Sequence, residues 1–323
     1  MSNPVIAEVT RGGTVESRHT GAFVVVDRDG HVVLAGGDIE RAVYPRSAVK
    51  AFQCIPVIES GAADRFGFND EEIALACSSH NGEAEHLRVA RTMLRKAGNS
   101  EELYECGAHW PTDTSAHQTA IRQYTEALPV HNNCSGKHAG MLALSRQLGA
   151  DPKGYVKPDH PVQRAIAKAM GDICDCNLDR QPRGIDGCSV PTWAIPLRNM
   201  ALGFATLTAH PAGQRIIAAA RKFPFMVAGT ESFDTGLMRA VARVFVKGGA
   251  EGVHCGCIPH AGLGIAIKCD DGAGRAGEVA IAAILAKLDV WDAGENQALA
   301  SFTSQELTNW RHIGVGTVRS IST

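Results

Sequence analysis

Runs of apolar residues near both ends of the chain predict β-strands. Residues 22–26 and 31–34 are two short apolar runs, and the segment 27–30 between them carries aspartates and a glycine, as in the turn of a β-hairpin. Further strand-like runs come near the other end, at residues 244–246, 252–254 and 264–268. The two ends of the chain therefore carry the same type of predicted element.

The residues between these ends mainly follow the spacing of amphipathic helices. Glycine ends several of these patterns, and Asp159 before Pro161 predicts a helix start with Asp159 as its cap. The apolar run 73–77 is instead interpreted as a buried strand. The predicted helices, including one after the last strands, cover residues 47–59, 84–97, 135–148, 195–206, 213–222, 236–245 and 276–288.

Strands at both ends and helices between them predict an α+β fold. The chain ends would form one antiparallel sheet, and helices from the middle region, roughly residues 46–245, would pack on it. No repeat or linker of distinct composition marks a domain boundary. We therefore expect a single unit over residues 1–323.

The composition excludes several classes of protein. The 323 residues carry 32 Lys and Arg against 34 Asp and Glu, a net charge of −2, which argues against a nucleic-acid binder because phosphate contacts need a surplus of positive charge. With 45% hydrophobic residues, the chain is not of the disordered class. The apolar run 279–286 is too short to span a bilayer, so no membrane association is expected. The N-terminal residues lack the pattern of a secretory signal, which predicts a cytoplasmic protein with ten reduced cysteines.

A serine and a lysine three residues apart, Ser47 and Lys50, lie at the start of the predicted helix 47–59 and directly after Arg46. Positions i and i+3 of a helix share one face, with Cβ atoms about 5–6 Å apart. A neutral lysine amine there can accept the proton of the serine and activate it as a nucleophile. The spacing equally suits a serine cap and a surface lysine, so the motif alone leaves both interpretations open.

Two later segments complete a possible set of catalytic groups. The segment 78–82 contains Ser79 at a turn into a helix, where acyl-transfer enzymes often place catalytic groups. Lys247 is followed by two glycines, which let another group approach the backbone closely; an ordinary strand lysine is the alternative. In chain order the segments read S-x-x-K, S-x-N and K-x-G, the order found in serine β-lactamases and penicillin-binding proteins. Two nearby lysines would lower each other's pKa, which would provide a general base and raise activity toward alkaline pH.

Two cysteines lie in polar, glycine-rich segments, an unusual place for buried thiols. Cys134 comes shortly before His138, and Cys188 directly follows Asp186-Gly. The four side chains suit a zinc site with mixed sulfur, nitrogen and oxygen ligands. Alternatively, Cys134 at a helix N-terminus is a nucleophile with His138 as its base, or the two thiols are unconnected and buried. The residues alone leave these three interpretations open.

Taken together, the motifs resemble the rhizobial-type L-asparaginase family, also called class 3 or asparaginase II. No single segment is specific to this family, but all of them occur in the order found in the family, and together they extend over nearly the full chain. The matching segments are residues 45–50, 78–82 with His86, 133–138, 159–163, 186–188, 227–229, 247–252 and 268–272.

The resemblance implies a fold like that of serine β-lactamases and glutaminases, a homodimer, and hydrolysis of L-asparagine to L-aspartate and ammonia. It implies two Ser–Lys pairs, Ser47 with Lys50 and Ser79 with Lys247, and Ser47 is the expected nucleophile. Ser79 would relay protons or help to hold the substrate. It further implies substrate contacts by Arg46, His138 and Asp186. A zinc ion is expected beside the active site on Cys134, Lys137 and Cys188.

Two positions depart from the family pattern. Asn81 stands where a small residue is expected, and Ser189 where glycine is more usual. Both affect loop geometry, and therefore substrate affinity more than reaction type. Two other functions are compatible with the sequence: a related serine amidohydrolase, such as a glutaminase or a β-lactam hydrolase, and a zinc-dependent amino-acid-binding protein without turnover.

Overall fold

The structure is a computed structural model, and it describes residues 2–321. It divides into two compact units, each built from separate stretches of the chain. The sheet unit comprises residues 2–49, 194–208 and 237–321, and the helical unit comprises residues 50–193 and 209–236. That residues 1–323 act as one catalytic unit stays a prediction.

The strands pair in antiparallel fashion throughout. They are β1 (Val5–Arg11), β2 (Thr14–Val26), β3 (Val32–Gly36), β4 (Ala42–Val43), β5 (Arg183–Ile185), β6 (Pro191–Trp193), β7 (Ile195–Pro196), β8 (Phe245–Gly248), β9 (Val253–Ile258), β10 (Leu263–Cys269), β11 (Ser304–Thr308) and β12 (Gly314–Ser320).

The α-helices fill most of the middle of the chain. They are α1 (Lys50–Glu59), α2 (Ala62–Arg65), α3 (Asp70–Ala76), α4 (Ala84–Lys96), α5 (Thr114–Gln123), α6 (Ser135–Gln147), α7 (Pro161–Ile173), α8 (Leu197–Leu207), α9 (Pro211–Lys222), α10 (Pro224–Ala228), α11 (Phe233–Ala240), α12 (Gly274–Ala286) and α13 (Ala293–Ser301). Short 3-10 helices lie at Arg46–Val49, Glu101–Leu103, Pro129–His131 and Leu178–Arg180.

The main sheet of the sheet unit has eight strands, in the order β11-β12-β1-β2-β10-β9-β8, with β3 paired to β2. The N-terminal strands β1 and β2 thus lie among the C-terminal strands, because β12 pairs with β1 and β10 pairs with β2. Helix α8 packs against β2, β9 and β10, and helix α12 packs against β1, β9, β10 and β12. The predicted α+β fold, with an antiparallel sheet from the two chain ends, is confirmed.

The helical unit is organised around α6. This helix packs against α1, α3, α4 and α7, and every residue from Ser135 to Ser145 is buried. A helix that is buried on all sides is usually apolar throughout. The first turns of α6 instead bury Lys137 and His138, so these polar side chains need partners inside the unit. The small sheet of β5 and β6 lies in the same unit.

Three local predictions were wrong. Residues 73–77 are not a strand, because α3 covers Asp70–Ala76 and begins with a capping box between Asn69 and Glu72. A short apolar run does not distinguish a buried strand from a buried helix. The cap before Pro161 is His160, whose side chain accepts from the Val162 N–H, and not Asp159. The predicted helix 236–245 ends early, since α11 stops at Ala240 and β8 begins at Phe245.

Among residues 2–321, no helix has both the length and the apolar character that a membrane crossing requires. All ten cysteines are free thiols, and nine of them are buried.

Candidate active site

Lys50, the first residue of α1, lies against a serine of the segment that follows α3. Its amine is within hydrogen-bonding distance of the Ser78 carbonyl oxygen, at 2.6 Å, and of the Ser79 Oγ, at 2.7 Å. The lysine is only 1% exposed, whereas Ser79 is partly exposed. A buried amine therefore contacts a hydroxyl that a small molecule can approach, which is the arrangement that an activated serine requires.

The backbone around Ser79 is fixed by close contacts with the end of α10 and the segment that follows it. The Ser79 N–H donates to the carbonyl oxygen of Val227, at 2.9 Å. Gly229 adopts a positive φ of 110°, and a Cβ there would meet the side chain of Asn81 at 2.8 to 2.9 Å. Asn81 in turn donates to the Ser232 Oγ, at 3.2 Å. The asparagine at the place where a small residue was expected thus holds two loops together.

His80 holds the same segment from its other side. Its Nδ1 accepts from the Gly82 N–H at 3.1 Å, so the neutral ring carries its proton on Nε2 and donates to the Ser135 Oγ at 2.9 Å. Burial and the neighbouring His86 hold the pKa of His80 well below its usual value. We infer that His80 is a neutral positioning residue for the Ser79 segment.

The other predicted Ser–Lys residues lie in the sheet unit. Ser47 is on the 3-10 helix Arg46–Val49, which packs against β8 and β9. Lys247 is on β8, is 2% exposed, and donates to the Gly248 carbonyl oxygen at 2.6 Å. The sheet unit therefore brings the element that carries Ser47 against the strand that carries Lys247.

Gly249 explains why glycine follows Lys247. A Cβ at Gly249 would lie 2.8 Å from the Pro45 carbonyl oxygen and 2.9 Å from the Ala48 nitrogen. The group that approaches this glycine is thus the backbone that carries Ser47. Arg46, directly before Ser47, has a positive φ of 51°, an uncommon conformation for a residue other than glycine.

A second polar cluster in the helical unit joins Cys134, Lys137 and Cys188. Cys134 caps α6, and Cys188 lies in the loop between β5 and β6. The Lys137 amine donates to the Cys188 sulfur at 3.0 Å, and Cys134 hydrogen-bonds to the same sulfur. Two of the predicted metal ligands, Cys134 and Lys137, therefore both contact the third, Cys188.

These contacts fix the charges of the cluster. The hydrogen bond from Cys134 and the positive charge of Lys137 lower the pKa of Cys188 to about 4. The same hydrogen bond and burial raise the pKa of Cys134 to about 11. Burial opposes the charge of Lys137, but the Cys188 thiolate raises the pKa of this lysine above its usual value. Cys188 is thus a thiolate at neutral pH, while Cys134 and Lys137 keep their protons.

The donor set fits a zinc ion. Two sulfur atoms and one nitrogen converge, and thiolate and amine ligands suit Zn²⁺. The ion would have to displace one proton from Cys134 and one from Lys137. These three residues would hold it, with further positions left for water or substrate.

His138 and Asp186 lie next to this cluster. The His138 Nδ1 is 2.7 Å from the Tyr155 hydroxyl, and its Nε2 is a buried atom without a hydrogen-bond partner. Burial and Lys137 hold the pKa of His138 well below its usual value. Asp186 acts electrostatically on Lys137 and begins a tight turn in which Ser189 has a φ of 73°. That positive φ explains why glycine suits the position of Ser189.

The helical unit brings most of the predicted site residues together. Lys50 acts electrostatically on both Cys134 and Cys188, so the serine cluster and the cysteine cluster are neighbours. The sequence did not identify the residues that position these groups, since their roles depend on contacts that are distant along the chain. The positioning residues are His80, Ser135 and Tyr155. The predicted residues in this unit are Lys50, Ser79, Cys134, Lys137, His138, Asp186 and Cys188, and those in the sheet unit are Arg46, Ser47 and Lys247.

Another group that could hold a cation lies on the turn between β2 and β3. The ligand atoms of Asp27, Asp29 and His31 lie within 4.8 Å of one another. Asp27 already accepts the backbone N–H groups of Asp29 and His31, both at 2.9 Å. These hydrogen bonds within the turn account for the cluster without a metal.

Comparison with known proteins identifies a family. A family model described as L-asparaginase II matches residues 7–320. No curated protein aligns with the chain.

The similar solved structures share little sequence with this chain. A β-lactamase from Mycobacterium bovis is 14% identical with a TM-score of 0.43, covering 88% of this chain and 95% of its own. A structure described as Mglu in its native form is 14% identical, with a TM-score of 0.37 and coverage of 90% and 70%. A mutant of simvastatin synthase from Aspergillus terreus is 8% identical, with a TM-score of 0.32 and coverage of 77% and 86%. All three TM-scores are below 0.5.

Proposed function

Because the chain belongs to the L-asparaginase II family, we propose that it hydrolyses the side-chain amide of L-asparagine to L-aspartate and ammonia. The observation that supports this most directly is the contact of the buried Lys50 amine with the Ser79 hydroxyl, at 2.7 Å. Amide hydrolysis through a serine needs a lysine amine that can take up and return a proton, and Lys50 lies where it can exchange a proton with a serine of the proposed site.

The proposed reaction has two halves. In the first, the serine Oγ bonds to the side-chain carbonyl carbon, and its proton passes to a neutral lysine amine. The lysine returns this proton to the amide nitrogen, which leaves as ammonia, and an ester joins the substrate to the serine. In the second half, water gives a proton to the amine and attacks the ester. The serine then leaves with that proton, and aspartate is released.

We assign the attack to Ser47, with Lys50 as its base, following the order of the family's motifs. Ser79, with Lys247 as its second partner, is proposed to relay protons or to hold the substrate. The hydrogen bond between Lys50 and Ser79 supports the joint action of these two residues. Arg46, His138 and Asp186 are proposed substrate contacts.

We further propose that zinc binds to Cys134, Lys137 and Cys188. When bound, the ion supplies positive charge and a coordination site that orients the substrate. The protein residues have separate roles. Lys50 accepts and returns the proton of the attacking serine, and His80 holds the Ser79 segment in place. A fold of the serine β-lactamase and glutaminase type, a homodimer and a cytoplasmic location complete the proposal.

Alanine variants of the two serines test the assignment. We expect Ser47→Ala to lose about 10⁴-fold or more in kcat for ammonia release, as happens when a nucleophile that works within a catalytic unit is removed. Ser79→Ala should keep measurable activity, because the nucleophile remains. Ammonia release from asparagine and mass spectrometry of rapidly quenched enzyme measure turnover and the acyl-enzyme.

Ser60→Ala, at the end of α1, is the control for serine loss away from the site. An acyl-enzyme in Ser47→Ala, or substantial turnover by this variant, would move the nucleophile to Ser79 or to Cys134. An adduct mapped to Ser79 or to Cys134 distinguishes these two residues.

A further inference from the structure

Residues 79–83 lie along the α10–α11 segment, which consists of the last two residues of α10 and the four residues before α11. At one end of this contact, the Ser79 N–H donates to the Val227 carbonyl oxygen at 2.9 Å. At the other end, the two oxygens of the Glu83 carboxylate accept from the Thr230 N–H and from the Thr230 hydroxyl, both at 2.7 Å. The two segments are therefore joined at both ends.

The middle of this contact is closely packed. A Cβ at Gly229 would lie 2.7 Å from the Glu83 Oε1 and 2.8 Å from the Asn81 Nδ2, so no larger residue fits between the segments. The Asn81 amide donates to the Thr230 carbonyl oxygen at 3.3 Å. Thr230 thus contacts residues 79–83 through its N–H, its hydroxyl and its carbonyl oxygen.

The residue after Thr230 has an uncommon backbone conformation. Glu231 has a φ of 59°, in the left-handed region that residues other than glycine seldom adopt. Such a conformation persists where the surrounding contacts hold it. The contacts on its two sides are those of Thr230 with Glu83 and of Ser232 with Asn81. The turn of the α10–α11 segment is therefore held from outside, by residues that follow Ser79 in the chain.

The contact between Ser79 and Lys50 depends on this placement. The Ser79 Oγ lies 2.7 Å from the Lys50 amine, and the hydrogen bond to the Val227 carbonyl helps to set the position of the Ser79 backbone. Val227 lies three residues before Thr230, so a shift of the α10–α11 segment moves the acceptor of that bond. A misplacement of about 1 Å among catalytic groups can cost about 10²-fold in rate. Contacts that hold the α10–α11 segment therefore affect proton exchange between Ser79 and Lys50.

We propose that Glu83 and Thr230 are positioning residues for Ser79. Their two hydrogen bonds hold the α10–α11 segment against residues 79–83 and keep the Ser79 hydroxyl at the Lys50 amine. Neither Glu83 nor Thr230 has to contact the substrate for this role. The inference rests on the proposed participation of Ser79 in amide hydrolysis, and it adds the residues that set the distance between Ser79 and Lys50.

Two substitutions of Thr230 test the role of its hydroxyl. Thr230→Val removes the hydroxyl and keeps the shape of the side chain, and we expect kcat for asparagine to fall about fivefold or more. Thr230→Ser keeps the hydroxyl and should stay within about twofold of the wild-type kcat. Because Thr230 is exposed, both variants should unfold at the same denaturant concentration as the wild-type protein. Thr92→Val is the control on α4: the lost hydroxyl donates to the Arg88 carbonyl oxygen of the same helix at 2.8 Å, and kcat should not change.

The same substitution in the Ser79→Ala variant separates positioning from general stability. If Thr230 acts through Ser79, Thr230→Val should change the kcat of Ser79→Ala by less than about twofold, because the residue that it positions is absent. A substitution that acted only by weakening the fold would lower kcat to the same extent with and without Ser79.

Hydrogen exchange of residues 78–83, measured by mass spectrometry, tests the contact without turnover. Exchange of backbone amides reports local opening of the structure. We expect faster exchange in Thr230→Val than in the wild-type protein, and wild-type exchange in Thr230→Ser and Thr92→Val. Absence of ammonia release by folded wild-type protein would reject the proposed function, whereas unchanged exchange in Thr230→Val would reject the positioning role in an active enzyme.

Any of four results would overturn the proposal: wild-type exchange in Thr230→Val, wild-type kcat in this variant, the same loss of kcat in Thr230→Ser, or an equal loss in the Ser79→Ala background. Glu83→Ala removes the acceptor of both hydrogen bonds and should reproduce the effects of Thr230→Val. It decides the question if Thr230→Val does not fold, and wild-type exchange and kcat in Glu83→Ala would contradict the proposal equally.

Discussion

Two buried lysines of the helical unit have chemically different partners. Lys50 contacts neutral oxygen atoms, the carbonyl of Ser78 and the hydroxyl of Ser79. Lys137 contacts the Cys188 thiolate, which stabilises its positive charge and raises its pKa. An ammonium paired with a thiolate is a poor proton acceptor. The surroundings therefore favour Lys50 over Lys137 for proton transfer.

The charges of the cysteine cluster predict how zinc binding depends on pH. Cys188 has a pKa of about 4 and is already deprotonated at pH 7, whereas Cys134, with a pKa of about 11, and Lys137 must each lose a proton to bind the ion. We therefore expect about two protons released per zinc ion and an affinity that rises with pH between 6 and 9. Zinc titration of the metal-free protein by calorimetry, in buffers of different ionisation enthalpy, measures both quantities.

The variant Lys137→Met serves as the control for this experiment. It should release about one proton, from Cys134, and bind zinc more weakly. Proton release close to zero in the wild-type protein, or affinity that does not change with pH, would contradict the assigned protonation states.

At the residue scale, the sequence predicted which residue types form the site better than it predicted which of these residues are in contact. Cys134, Lys137 and Cys188 were expected near one another, and they are. The contact between Lys50 and Ser79 was not expected, because the residues are 29 positions apart and meet only through the packing of α1 and α3. Sequence spacing predicts the distance between two side chains only when both residues lie on the same helix or strand.

At the scale of elements, α6 connects the packing of the helical unit to the site. Its N-terminus carries Cys134 and Lys137, and its first turn contacts α3, the helix that leads to Ser79. Gly136 lies at this contact, where a Cβ would overlap the carbonyl oxygen of Leu75. The close approach of the two helices therefore requires glycine at position 136.

We predict that Gly136→Ala destabilises the protein and weakens zinc binding. The overlap with backbone has no flexible group that can move aside, so we expect a loss of about 1–3 kcal/mol in the free energy of unfolding. Displacement of the neighbouring Lys137 should lower zinc affinity as well. Chemical denaturation and zinc titration measure the two effects.

Gly140→Ala is the matched control on the same helix. Its Cβ would lie 3.4 Å from the Ala76 Cβ, a tight contact with a side chain and not with backbone. Since alanine also favours helix by about 1 kcal/mol over glycine, we expect stability within about 1 kcal/mol of the wild-type protein. Equal effects of the two substitutions would show that the contact with Leu75 is not tight.

The elements themselves were predictable where caps and periodicity agreed. The helices near residues 84–97 and 135–148 were placed within one residue of α4 and α6. The error at α3 arose because Ile73 to Ala76 is uniformly apolar, and the capping box of Asn69 and Glu72 was overlooked. The strands β11 and β12 were missed, because they are partly exposed and carry many polar residues.

At the scale of the whole molecule, neither unit is a continuous piece of chain. The sheet unit contains residues from both ends of the chain and residues 194–208, and the helical unit contains the other described residues. The predicted catalytic residues lie in both units, with Ser47 and Lys247 in one and Lys50 and Ser79 in the other. The match of the L-asparaginase II family to residues 7–320 accordingly includes both.

Family membership predicts a preference among amides. Glutamine has one more methylene than asparagine, and such a difference is worth about 1–3 kcal/mol in a fitted pocket, or roughly 10–200-fold in kcat/KM. We expect asparagine to be preferred by a factor in this range, and a β-lactam not to be hydrolysed. A preference for glutamine would instead indicate a glutaminase of the same family.

The most direct test of the account is ammonia release by the wild-type protein from L-asparagine, with glutamine and a β-lactam in parallel, with and without added zinc. We predict stoichiometric ammonia and L-aspartate from asparagine, with kcat/KM above that for glutamine and the lowest KM when zinc is present. Absence of turnover on all three substrates, by folded protein that contains zinc by elemental analysis, would contradict the account and indicate an amino-acid-binding protein without catalysis.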